Sequence, residues 1–544
     1  MEATLEKTKS GDYTLKVNSI YIHSSYNPIR ESQKSVEYFV QNNKTPNYII
    51  VLGLGLGYHV VEICKRYPHS TILVAEKHAR FTDMMTRNNI NISIFKRNVH
   101  IFYTADKFFD HLLNKASEND VKDLAIYEHK PSISLSPNFY SEIGKSISTA
   151  IKSKLRNIVT DLYFGRKWHN NILSNSQLLN KAISLSNYYK AYNCPVIVTA
   201  SGPSLDKSIP TIKKLCDKVL IISPVQSLNI LLYNEIVPDI IVSIDGGYYN
   251  RAYFNYINNN VLKHSLWIFS LCVQNQKKVA LNSSLTYINS GLPLEQKLLQ
   301  AVEKVPPILM EGSVTFSCIR LAQYITKGTI ILSGFDLAFT KKRTHFKGSV
   351  NEEKLLYKTW QNKTIDNFNT NLIYTDPIEV KGNTTNVVIS SQALTSYLSW
   401  ANESLHKLEQ PICNCTEGGA EIKGIPYIAL SEIDKQFTSK TTKKIKVGVD
   451  NKLKIDNVQL KDIFTELYDA YSILKSQLKN NFSLELLQNN VNNSKTWVKK
   501  SINLHLGRFF LELEKNNNKM LIKDTMEMEI NKTLKLVRQK HLNL

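Results

Sequence analysis

Pro195-Val-Ile-Val-Thr-Ala-Ser-Gly-Pro-Ser-Leu205 runs from an apolar strand straight into a turn of small residues. The run Val196 to Thr199 asks for a strand buried on both faces. Ala200 to Leu205 then turns tightly, and Pro203 suits the first turn of a following helix, where its missing N–H has no intrahelical partner. Strand, turn and helix make an α/β unit. Ser201, Gly202, Pro203 and Ser204 lie where helix-start amides and hydroxyls hold an anion without a lysine. A plain helix cap explains this stretch equally well when it is read alone.

Downstream the same rhythm repeats. Strand Val219 to Ser223 leaves Ser223 at its end, and a helix is expected around Ser227 to Asn234. Pro238 to Ile244 is apolar and delivers Asp245, then Gly246 and Gly247, to the strand end, where open parallel sheets place their ligand crevice. Strands near Leu266 to Leu271 and Thr286 to Asn289 extend the sheet. Glu311-Gly312-Ser313 opens a helix ending near Ile325, and Thr329 to Phe339 is a strand carrying Asp336 at its end. The basic run Lys341-Lys-Arg-Thr-His-Phe-Lys-Gly348, expected to be mobile, brings His345 to the same side. Thr416, Glu417 and Gly418 form a later glycine-rich turn. Read singly, each residue has a structural explanation; together they make a candidate site.

Upstream, Tyr48 to Leu52, Gly53-Leu-Gly-Leu-Gly57 and Tyr58 to Arg66 also read as strand, glycine turn and helix. Strand Ser70 to Ala75 ends in Glu76, where nucleotide-binding domains keep a ribose carboxylate. A dinucleotide or S-adenosylmethionine site is therefore one reading of residues 45 to 130, and a ligand-free turn is the other. Helical periodicity dominates from Pro137 to Tyr189, and again from Asn457, with apolar residues at Leu460, Ile463, Phe464, Leu467, Tyr471, Leu474 and Leu478. The expected fold is α/β, with two Rossmann-like parallel-sheet domains joined by helices and a helical C-terminal region. The boundaries are 1–136, a connector 137–189, a central domain 190–435 and a helical region 436–544, entered through a Lys-rich linker near 436–454.

With 544 residues and 42% hydrophobic content, several cores are expected. No apolar run approaches the about 20 residues of a bilayer span, and Met1 to Asp12 is polar, so a cytoplasmic protein without an integral membrane segment is expected. The seven cysteines are scattered and lack zinc-site spacing, which favours buried free thiols. The net charge of +21 points either to an acidic partner, such as a sugar nucleotide or an acidic protein surface, or to a generic Lys-rich surface. Residues 431–544 carry 21 Lys and Arg against 13 Asp and Glu, a net +8. No dense basic arm marks a nucleic-acid face, and none is expected.

Five pieces in order resemble the motility-associated factor (Maf) flagellin glycosyltransferases, whose central domain is similar to bacterial sialyltransferases and to pterin pyrophosphokinase-like proteins. They are Ile22-His-Ser-Ser-Tyr-Asn-Pro28 with Arg30 and Glu31; Gly53-Leu-Gly-Leu-Gly-Tyr-His59; Ala200 to Leu205; Gly334-Phe-Asp-Leu-Ala-Phe339 with Thr344, His345 and Gly348; and Thr416-Glu-Gly-Gly-Ala420 with Ile422 and Gly424. Phe335 and Ser201 depart from the family pattern. The resemblance implies transfer of a nonulosonic acid, of pseudaminic or legionaminic type, from a CMP-activated donor to Ser or Thr of flagellin, in support of motility. No metal or other cofactor is expected. On this reading His345 is the candidate base, with Asp336 or Asp245 as alternatives. Ser201 to Ser204, Ser223, Asp245, Gly312, Ser313, Thr416, Glu417 and Gly418 are candidates for the donor site. A pterin-type pyrophosphokinase using ATP and a non-enzymatic flagellin-binding protein are the competing readings.

Overall fold

The computed structural model describes residues 3–542 apart from 43–45, 97, 117–123, 248–249, 256, 258–259, 275, 282, 303–304, 306–311, 437–451, 481 and 516–518. Glu311 and most of the expected linker at 436–454 lie outside the described residues. The chain divides into two compact units, 1–161 and 162–544. Of the expected connector 137–189, residues 137–175 form one helix, Pro137–Asn175, whose residues are shared between the two units, and two short 3-10 turns, Ser176–Lys181 and Ser186–Tyr188, follow.

In the first unit, β1 (Ala3–Lys7), β2 (Tyr13–Val17) and β3 (Ile20–Tyr21) form a small antiparallel sheet. The strands β4 (Tyr48–Leu52), β5 (Thr71–Ala75), β6 (Val99–Phe102) and β7 (Leu124–Glu128) form a parallel sheet in the order β6-β5-β4-β7. The glycine turn after β4 is filled by the protein itself. Gly53 N–H donates to Ala75 O, and Leu54 and Gly55 N–H donate to the buried Glu76 carboxylate at 2.8 and 3.3 Å. Leu56 N–H donates to His23 Nε2 at 2.8 Å, and Gly57 N–H to Leu54 O. The carboxylate expected to hold a ribose thus occupies the place of a phosphate, and each amide from Gly53 to Gly57 is already engaged.

The second unit is built on a seven-stranded, wholly parallel sheet: β8 (Val196–Thr199), β9 (Leu220–Pro224), β10 (Ile240–Ser243), β11 (Leu266–Phe269), β12 (Leu285–Tyr287), β13 (Ile330–Ser333) and β16 (Ile412–Asn414), with the hairpin β14 (Ile378–Lys381) and β15 (Val387–Ser390) separate. Its order is β12-β11-β10-β9-β8-β13-β16. Alternate residues feed two cores. Val196, Val198, Ile330 and Leu332 pack with the helix Val314–Ile325, while Ile197, Ile221 and Ile331 pack with the helix Leu205–Leu215. All seven are fully buried or nearly so, each contributing about 1.5–3 kcal/mol. Burial on both faces explains why these strands read as unbroken apolar runs.

The chain winds outward from β8 to β12 and then returns to place β13 on the other side of β8. That reversal is a topological switch point, and the carboxyl ends of β8 and β13 flank it.

The tail forms four helices, Asn457–Asn480, Leu484–Asn493, Thr496–Lys515 and Lys519–Leu542. The seven apolar positions from Leu460 to Leu478 are all buried. Tyr471 Oη lies 2.7 Å from His505 Nδ1 and 3.4 Å from His169 Nε2. These contacts join two tail helices to the end of Pro137–Asn175. The seven cysteines are free thiols, and all but Cys216 are buried.

Gly55 tests the first unit's closed turn. Its φ is +52°, and a Cβ there would collide with His23 Nε2. Gly55→Ala is expected to destabilise the protein by about 2–3 kcal/mol, read by chemical unfolding; an unchanged midpoint would mean that His23 does not pack on this turn.

Candidate functional site

Two carboxyl-end turns meet across the switch point. Gly202 N–H donates to Gly334 O at 2.9 Å, and Asp336 reaches back from the β13 end to the turn after β8. Ser204 donates through Oγ to Asp336 Oδ2 at 2.7 Å and through N–H to Oδ1 at 3.2 Å, and Thr340 Oγ1 also donates to Oδ1. Gly202 is required, since a Cβ there would run into Asp336 Oδ2. A third turn closes the set: Ala420 N–H donates to Asp336 O at 2.7 Å, and a Cβ at Gly419 would meet the Asp336 backbone. Asp336 is 2% exposed. Burial pushes its carboxyl up to about 6, against the pull of the Thr340 and Ser204 hydrogen bonds.

This geometry corrects the expected phosphate cradle. The Gly202 and Ser204 amides are spent on Gly334 O and Asp336, Leu205 N–H is spent on Gly202 O, and Pro203 has none. Ser201 Oγ pairs with Ser227 Oγ at 2.9 Å. Asp336 is enclosed rather than facing a ligand, because both its oxygens accept internal hydrogen bonds. Ser223 Oγ donates to the neighbouring Pro224 O and takes no part. Thr416 Oγ1 accepts from Phe335 N–H at 3.1 Å, Gly418 packs against Thr340, and Glu417 binds Lys207 Nζ through its carbonyl and Tyr427 Oη through its carboxylate. These three residues support the Asp336 turn. Gly312 and Ser313 start the helix Val314–Ile325, whose Phe316 ring meets Phe335 edge-on at 5.8 Å.

The basic loop is pinned, not mobile. Arg343 bridges Asp206 and Glu352, Lys347 N–H donates to Asp206, Gly348 N–H donates to Glu352, and Phe346 is fully buried. Lys341 and Lys342 stay exposed at its start. His345, half-buried, is held at both nitrogens: Nδ1 lies 3.1 Å from Thr344 Oγ1, and Nε2 accepts from the Asn351 amide at 3.0 Å. Burial lowers its pKa, so the ring is neutral. Asn351 lies beside Tyr253, whose hydroxyl is pushed up to about 12 by burial and by the charge of Asp245. Asp245 is exposed beyond the end of β10 and accepts from Gly247 N–H at 2.7 Å. Lys167 feels both Asp245 and Arg251, and Trp168 packs on Gly246 with its indole N–H buried and unpartnered.

The structure therefore makes two linked groups. One is the Asp336 brace with Gly202, Ser204, Thr340, Thr416 and Gly418. The other is a polar row, His345, Asn351, Tyr253 and Asp245, with Lys167 and Arg251 beside it. The Phe346 N–H to Ser201 O bond at 3.3 Å joins them. Thr340, Asn351, Tyr253 and Lys167 escaped the sequence reading. A cleft of about 350 Å³ among the tail helices is lined by Glu466, Asp469, Leu474, Val491, Lys495 and Ile502.

Residues 167–342 match the family described as MptE-like, 6-hydroxymethylpterin diphosphokinase MptE-like. That match includes Asp245 and, of the brace, Gly202, Ser204, Asp336 and Thr340, and it stops before His345, Thr416 and Gly418. The structure of the Maf glycosyltransferase from Magnetospirillum magneticum AMB-1 superimposes with a TM-score of 0.58, covering 99% of this chain and 91% of that one at 13% identity. The chain has the Maf glycosyltransferase fold. An uncharacterized protein of Treponema pallidum (strain Nichols) is 22% identical over 364 residues, which are 65% of this chain and 62% of that protein. Of the three likenesses read from the sequence, the Maf proteins and the pterin kinase-like domain are found again.

Asp336 supplies a pH test. Its folded pKa lies above the unfolded value of about 3.9, so the folded state holds the extra proton and stability falls as pH rises from about 4 to about 6, by about 3 kcal/mol for this group. Asp336→Asn is expected to flatten that part of the profile in unfolding experiments at pH 4.5 and 7. An undiminished slope would place the titrating group elsewhere.

Proposed function

We propose that this chain is a glycosyltransferase that moves a nonulosonic acid, of pseudaminic or legionaminic type, from its CMP-activated donor to Ser or Thr hydroxyls of flagellin in the cytoplasm. The observation that carries the reading is the polar row from His345 to Asp245 beside a braced switch point, in a fold shared with a Maf glycosyltransferase. Such a donor has two anionic groups, a sugar carboxylate and a phosphate. Lys167, Arg251, Lys341 and Lys342 bring positive charge to this edge, and they replace the Ser201 to Ser204 amides as partners for those groups. Asp245, exposed, is positioned to accept from ribose hydroxyls. Among the described residues no helix is long and apolar enough to cross a membrane.

Chemistry proceeds by displacement at the anomeric carbon with inversion. The acceptor oxygen bonds to that carbon, the bond to the phosphate breaks, and CMP departs with the electron pair. His345 Nε2 takes the hydroxyl proton once the Asn351 amide yields its place. No metal or other cofactor is required. Asp336 acts by holding the turns in register, not by touching the donor.

Flagellin co-expressed with this chain and a CMP-nonulosonate supply is expected to gain the mass of the sugar on intact-mass analysis. An unchanged mass with the donor present would refute the proposal, and magnesium-dependent ATP consumption with a hydroxymethylpterin would favour pyrophosphate transfer instead. His345→Ala is expected to slow transfer by about 10²–10⁴-fold while leaving the unfolding midpoint nearly unchanged. Full activity in that variant would remove His345 as the base.

A further inference from the structure

Three buried histidines meet in the first unit, on segments the proposed reaction does not use. His23 follows β3, His59 lies in the first turn of the helix Tyr58–Arg66, and His129 follows β7. One ring nitrogen from each lies within 4.8 Å of the others. The rings stack, His59 on His129 with centroids 4.4 Å apart and His23 on His129 at 4.9 Å. Burial pushes all three pKa values down, His59 to about 4, with mutual repulsion adding to the effect on His23 and His129. Each ring is neutral at physiological pH, which is the state that ligates metals.

Hydrogen bonds at the far nitrogens decide which lone pairs point inward. His59 Nε2 lies 2.8 Å from Gly53 O, and a carbonyl only accepts, so Nε2 carries the proton and Nδ1 the lone pair. That Nδ1 is buried and has no hydrogen-bond partner. Leaving such an acceptor unmet in the interior is unfavourable. His129 Nδ1 pairs with Ser132 Oγ at 2.7 Å, which leaves Nε2. An outer hydrogen bond at one nitrogen is how proteins orient the other toward a metal. His23 differs, because its Nε2 accepts the Leu56 N–H at 2.8 Å. Ligation by this ring exchanges that hydrogen bond for the ion. The His59 and His129 planes are 16° apart, so their lone pairs run side by side and must tilt to converge on one point.

We propose that His23, His59 and His129 bind one divalent cation of the zinc class in the first unit. The site supplies imidazole nitrogen alone, which suits zinc, cobalt, nickel or copper and not magnesium or calcium, whose ligands are oxygens. An ion here fastens the loop after β3 to the glycine turn and to the exit of β7, and it gives the orphaned His59 Nδ1 a partner. The two motifs that contain His23 and His59 thereby acquire a shared purpose, separate from the transferase reading.

The full-length chain, stripped with EDTA and exchanged into chelator-free buffer, is titrated with Co(II). One equivalent is expected to bind, with visible absorption bands that Zn(II) abolishes, and with a rise in the thermal midpoint. The double variant His59→Gln, His129→Gln is expected to lose these signals, while His100→Gln, elsewhere in the unit, keeps them. Absence of a spectral change in the stripped wild-type chain, or one full equivalent in the double variant, overturns the proposal. Should circular dichroism show the double variant unfolded, His129→Gln alone decides. Weakening of Co(II) binding by about tenfold or more supports the site, and unchanged affinity overturns it.

Discussion

Asp336 accepts hydrogen bonds from Ser204 across the one place where the seven-stranded sheet reverses its winding. A parallel sheet leaves a gap at such a reversal, because the connections on its two sides run away from each other. In most nucleotide-binding sheets a ligand phosphate fills the gap and takes the free amides. Here a carboxylate from the neighbouring strand end does so, and three turns depend on it: the one after β8, its own, and the one after β16. The enclosure raises the carboxyl's pKa, so at neutral pH the protein keeps a buried charge that its hydrogen bonds only partly offset.

The first unit repeats this device with other residues. Glu76 follows β5, the neighbour of β4, and accepts from Leu54 and Gly55 in the turn after β4. In both units, therefore, a carboxylate one strand over stands where a phosphate would bind, and the adjoining glycine is hemmed in by a side chain. Gly55 faces His23 and Gly202 faces Asp336. A glycine-rich strand-to-helix turn is compatible with nucleotide binding but equally with an internal anion, and its conformational demands are the same in either case.

That equivalence marks where the sequence stopped being informative. Strands buried on both faces announce themselves: Val196–Thr199 was read to the residue, and the helix Tyr58–Arg66 was bounded by its glycine and its basic end. The stripe from Leu460 to Leu478 named its own core face. Occupancy of the turns was not legible, because Glu76 lies 22 residues from Leu54 and Asp336 lies 132 from Ser204. Tyr253 and Asn351 are far apart in the chain and meet only through the fold. The pinned basic loop was misread as mobile, since its charge suggested solvent while Asp206 and Glu352 were silent partners.

Asn351 gives the polar row a property that a bare histidine would lack. With its amide seated on His345 Nε2 and its other contact on Tyr253, the ring's lone pair is stoppered in the resting protein. On the proposed reading, water entering beside a bound activated sugar would find no base to deprotonate it. An acceptor hydroxyl large enough to displace the amide would uncover the base as it arrives. On the proposed reading, the site spends its costly donor on protein and spares it from hydrolysis, and the guard is a single side-chain amide.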